Sequence, residues 1–140
     1  MHEKHTSLVA RAGWGKAIGF LFGLIGLLFL AFSLPGTGWP VWLGTLFYFT
    51  NLGLLVGILS VDLRHPLFPW EMKWWFIGLL TGGWVAFTLM LFIGDAYEKL
   101  LSLSEGNWRH FSSPLWLIVD GAIAGLIISW IVHRRVGDCL

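Results

Sequence analysis

Polar residues leave four long gaps in this chain. Apolar runs fill residues 17–34, 41–61, 74–93 and 114–132, each 18 to 21 residues long. At 1.5 Å of rise per residue, each run can cross a hydrocarbon core of about 30 Å as one helix. The intervals carry the breakers. "PGTGWP" makes a tight turn through Pro35, Gly36, Gly38 and Pro40, and "DLRHPLFPWEMK" is short and stiffened by Pro66 and Pro69. The outer loop over 94–113 has room for a short amphipathic helix on the membrane surface. The pattern predicts an all-α integral membrane protein, one domain over residues 1–140 built as a four-transmembrane-helix bundle.

Composition sharpens the choice of solvent. The chain is 56% hydrophobic and 12% charged, with a mean hydropathy of +0.74. A soluble domain averages about 25% charged residues, so the bilayer is the better solvent. Nine Lys and Arg against eight Asp and Glu leave no basic field for nucleic acid. Cys139 is the only cysteine, which excludes an internal disulfide, and its penultimate position does not fit a prenylation signal. Residues 1–16, with "SLVARAGWGK", read as an interfacial, cytoplasmic segment anchored by Trp14 and basic residues. "AFS" at 31–33 resembles a signal cleavage site, but the run is longer than most signal cores and is expected to remain as a span.

Charge also sets an expected orientation. Lys4, Arg11, Lys16, Arg64, Lys73, Arg134 and Arg135 fall on one side, against Lys99 and Arg109 on the other, which predicts N-in/C-in with both termini cytoplasmic in a plasma or inner membrane. Tryptophan agrees: Trp14, Trp70, Trp74, Trp75 and Trp130 form an inner belt, and Trp39, Trp42, Trp108 and Trp116 an outer one. Only Trp84 falls near a helix centre. The second and fourth runs open alike ("PVWL", "PLWL"), which suggests two parallel helical hairpins.

Every run carries a glycine pair at four-residue spacing: Gly19 and Gly23, Gly53 and Gly57, Gly78 and Gly82, Gly121 and Gly125. In water each mid-helix glycine costs about 1 kcal/mol relative to alanine. In lipid, small residues let helix backbones approach and gain van der Waals contact, so these are expected helix-packing positions. Their place in the middle or inner half of the helices leaves two geometries open, a crevice at the outer end or uniform packing.

Polar residues inside the runs supply the candidate chemistry. Asp120 lies about 9 Å below the outer interface by helical rise. An aspartate at that depth costs about 2.5–3.5 kcal/mol on insertion scales. It is expected to point into the bundle with Gly121 and Ala124, where it can bind a cation, carry a proton or pair with Arg109. A structural clamp between helices is the competing role. Asn51 is expected to bond across helices, with Thr81 and Thr88 lining the same interior. Asp95, Glu98 and Glu105 make an acidic outer loop that is either a cation-gathering mouth or a solvated surface.

A redox reading requires paired histidines. His65 and His133 share a depth, but at the rim, and His110 lies on the opposite side. His2 and His5 make only a weak metal spacing. No metal site and no cofactor are expected, and no catalytic motif is present. Three function classes follow: a transport or channel component with Asp120, Asn51, Thr81 and Thr88 as candidate ion-pathway residues, an accessory subunit of a larger membrane complex, and a haem- or quinone-associated redox subunit. Expected partners are the lipid bilayer and either further copies of the chain or other membrane subunits; an enzyme is not the expectation.

Overall fold

A computed structural model describes residues 2–60, 63–64, 71–102 and 113–136. Four helices account for nearly all of it: α1 (His2–Ser33), α2 (Trp39–Leu59), α3 (Trp74–Ser102) and α4 (Leu115–Val136). All four are long and apolar enough to cross a membrane. Between α2 and α3, β1 (Leu63–Arg64) and β2 (Glu71–Met72) form a minimal antiparallel ladder, Leu63 opposite Met72 and Arg64 opposite Glu71. The sequence marked only a short loop there.

Two helix boundaries also differ from expectation. No break separates the N-terminal segment from the first span, because α1 runs continuously from His2 to Ser33. "SLVARAGWGK" contains no proline, and of its two glycines Gly15 packs against Gly53 and Gly57 while Gly13 faces open space. At the other end of the molecule, "DAYEKLLS" continues α3 to Ser102, and the rest of the expected outer loop lies outside the described residues. Ala, Glu, Lys and Leu are strong helix formers, so the helix outruns its apolar stretch.

The turn between α1 and α2 follows its residues. Gly36 takes the left-handed φ of 109° that a side chain would resist. The Trp42 indole N–H donates to Thr37 Oγ1 at 2.9 Å and to the Thr37 carbonyl at 3.2 Å, tying the turn to α2. Pro40 sits in the first turn of α2, where its missing N–H breaks no helical bond.

α1 packs chiefly along α2, and α3 along α4. In both hairpins glycine backbones meet. A Cβ on Gly53 would come within 3.0 Å of the Gly19 backbone, and one on Gly82 would crowd the Gly121 carbonyl and Gly125 Cα. Gly23 lies against Leu46, and Gly78 against Ser129 and the Gly125 carbonyl. Gly15, which continues the four-residue spacing of Gly19 and Gly23 in "GKAIGFLFG", extends the first seam to Gly57. The "PVWL"/"PLWL" likeness has no counterpart in these seams. Gly53 and Gly57 lie in the last part of α2, whereas Gly121 and Gly125 lie in the first half of α4.

The hairpins meet over a core of Ile18, Leu52, Val56, Ala124, Ile128 and Val132. A second cluster joins Leu27 and Leu30 of α1, and Leu34 just beyond it, to Tyr97 near the end of α3. The bare chain buries only 22% to 33% of each spanning window, so most of every helix faces its surroundings.

Candidate functional site

Asp120 stands in the second turn of α4. The buried stripe of that helix is Gly121, Ala124, Gly125, Ile128, Ser129 and Val132. One residue turns the helix by about 100°, so Asp120 falls at the flank of the stripe and is exposed on the surface of the chain. This corrects the expectation that it points inward with Gly121 and Ala124.

Its surroundings are nonetheless specific. The chain has two tyrosines, Tyr48 on α2 and Tyr97 on α3, and both lie within electrostatic range of the Asp120 carboxylate. The Tyr48 hydroxyl is also 3.3 Å from where a Cβ on Gly121 would stand. Three helices therefore bring two phenols and one carboxylate to the same part of the molecule. Phenol O–H groups donate and accept hydrogen bonds, so the set can hold a proton or coordinate a cation through oxygen. Sequence reasoning missed both tyrosines. They are far apart in the chain, and neither sits at a spacing that signals a site.

The other proposed pathway residues do not join this group through any hydrogen bond among the described residues. Asn51 is exposed on α2 and Thr88 exposed on α3, with the Thr88 hydroxyl donating to the Trp84 carbonyl at 3.0 Å. Thr81 is half-buried. Thr50 satisfies itself by donating to the Leu46 carbonyl at 2.7 Å, as its residue type suggested. Asp95, Glu98, Lys99 and Ser102 line a shallow recess on the overhanging end of α3. Arg109, Glu105, His65, His110, Trp70, Trp108 and Cys139 lie outside the described residues, as do the side chains of His2 and His5.

The end of the molecule where α1 begins and α4 finishes carries a different chemistry. Arg11 is 2% exposed, and its guanidinium donates to the Ser60 carbonyl and, at 3.5 Å, to the Ser60 hydroxyl. Ser60 caps the C-terminus of α2. A cation there meets the negative end of the helix dipole, and charged hydrogen bonds of this kind contribute about 1.5–3 kcal/mol. Arg11 thus fastens α1 to α2, a role that its charge alone did not reveal. Ser129 Oγ donates to the Trp74 carbonyl at 2.7 Å, fastening α4 to α3.

His133 stacks on Trp74, with centroids 4.8 Å apart. Arg134 lies over Trp130 at 4.6 Å and Arg135 over Trp14 at 5.4 Å. Cation–π contacts of this sort are worth about 0.5–1 kcal/mol at exposed sites. Among the described residues no group of three His, Cys, Asp or Glu side chains is placed to hold a metal. The chain matches no family model, no curated protein and no solved structure.

Proposed function

We propose that this chain is a small polytopic membrane protein, a four-helix bundle with both termini cytoplasmic, that serves as a transport or channel component for a proton or small cation. Asp120 is the charged group of the path, and Tyr48 and Tyr97 are its polar neighbours. The observation that carries the reading is the Tyr48 hydroxyl of α2 set against Gly121, next to the acid of α4, with Tyr97 of α3 within electrostatic range. A carboxylate inside the membrane is costly and needs a use or a partner. Oxygen donors beside it are the chemistry of a proton relay or a cation site.

The test is flux into sealed vesicles of purified protein under an imposed pH or cation gradient. Wild type is expected to conduct, Asp120→Asn to lose at least tenfold, and Tyr48→Phe to lose severalfold. Wild-type flux equal to that of empty vesicles, or undiminished flux in Asp120→Asn, refutes the proposal.

A second reading, an accessory subunit of a larger membrane complex, is supported by how little of each spanning helix the chain buries by itself. It predicts foreign subunits in stoichiometric amounts when the protein is extracted gently from its own membrane. The haem- or quinone-associated alternative rests on His65 and His133; the Trp74 stack occupies one face of the His133 ring. Visible absorbance of the purified protein tests its haem form.

A further inference from the structure

Asn51 is the thirteenth of the 21 residues of α2, close to mid-span, and it is exposed. Thr45, Thr50 and Thr88 each return their hydroxyl to a carbonyl one turn back. A carboxamide has two donors and an acceptor to satisfy, and no described residue hydrogen-bonds that of Asn51. Hydrocarbon offers it nothing.

The same face of α2 carries Gly44, Phe47 and Leu55. Phe47 is 60% and Leu55 40% exposed, and a Cβ on Gly44 would meet nothing within 4 Å. The other glycines of this helix, Gly53 and Gly57, are spent against α1. Gly44 is a small residue with an open side, about two helical turns from the Asn51 amide.

We propose that this face of α2 is an interface with a second copy of the chain, in which the Asn51 carboxamides of two parallel protomers hydrogen-bond to each other. Two features favour a second copy over an unrelated partner. A carboxamide is both donor and acceptor, so two of them related by a two-fold axis satisfy each other reciprocally. An axis along the membrane normal also places both at one depth automatically, a match that an unrelated helix must supply separately. Gly44 gives the backbones room to approach, and Phe47 and Leu55 pack on either side of the amide pair. The interface uses nothing from the Asp120 site and stands whether or not the chain conducts ions.

The test reads self-association of the purified full chain in vesicles of phosphatidylethanolamine and phosphatidylglycerol, by energy transfer between labelled copies as the lipid ratio rises. Wild type is expected to associate, Asn51→Leu to associate roughly tenfold more weakly, and Asn51→Gln, which keeps the amide, to stay within a few-fold of wild type. Because position 51 faces outward, the leucine variant should retain wild-type helix content. In a Cys139→Ser background that keeps Asn51, Leu55→Cys, on the same face of α2, should form a cross-linked dimer under mild oxidation, while Phe92→Cys, on the exposed face of α3, should not. A monomeric wild type, an Asn51→Leu variant that associates like wild type, or equal cross-linking at both positions would each overturn the proposal.

Discussion

Glycine carries opposite meanings at neighbouring positions of one helix. At Gly53 a single added methyl would stand within 3.0 Å of Gly19 and crowd the Gly15 carbonyl, atoms of backbone that cannot turn aside. The helices must separate to admit it, and overpacking of this kind costs about 1–3 kcal/mol. At Gly44 the same methyl meets nothing within 4 Å and gains about 0.5–1 kcal/mol of helix propensity. Gly53→Ala is therefore expected to lower the midpoint of denaturant unfolding in detergent micelles, and Gly44→Ala to raise it or leave it unchanged. If both shift alike, the α1–α2 seam is not as close as its backbone contacts make it. Spacing alone found Gly53 because it has a partner glycine four residues on. No rule of spacing distinguishes a glycine that is used within the chain from one that is open.

Among whole elements, the α3–α4 hairpin has a register that chemistry can read directly. A Cβ on Gly83 would lie 3.7 Å from that of Ala122, and one on Gly94 would lie 3.6 Å from that of Pro114. Disulfides need Cβ atoms about 3.5–4.5 Å apart. In a Cys139→Ser background, Gly83→Cys with Ala122→Cys and Gly94→Cys with Pro114→Cys should each close a cross-link without added force. A pairing shifted by one helical turn would close neither, and that result would reject the observed register. The spans themselves were legible in the sequence, since four apolar runs separated by proline and glycine mark four helices plainly. Their ends were less so. α3 keeps its helix beyond the apolar stretch, and the Leu63–Met72 ladder lies in a segment whose prolines spoke only of a loop. The facing of each helix was hardest to read. In a soluble helix the apolar side is the buried side, but a spanning helix is apolar all round, so hydropathy does not say which way Asn51 or Asp120 turns. Tyr48 and Tyr97 were missed for the same reason, because tertiary packing alone brings them to Asp120.

Over the whole molecule, charge divides along the helix axes. Arg11, Lys16, Lys73, Arg134 and Arg135 belong to the end where α1 begins and α4 finishes, and three of them have structural occupations there or lie over tryptophan rings. The far end of α3 carries Asp95 and Glu98 against Lys99. Insertion holds Lys and Arg on the cytoplasmic side, while acidic residues contribute little to the choice. The expected arrangement therefore has both chain termini inside and the overhanging tip of α3 outside. Two single-cysteine proteins test it with a membrane-impermeant maleimide on intact cells: the native Cys139, and Ser102→Cys in a Cys139→Ser background. Ser102 is exposed at the last position of α3, so its cysteine should label from outside, whereas Cys139 should label only after the membrane is opened. The reverse pattern would invert the orientation and put Asp120 on the inner side of the membrane. Labelling of both from outside would mean that α4 does not cross. In the proposed transport role, an acid near the entrance of a path from outside would gather cations before they enter and one near the inner exit would govern release, so orientation decides which step that proposal expects Asp120→Asn to slow.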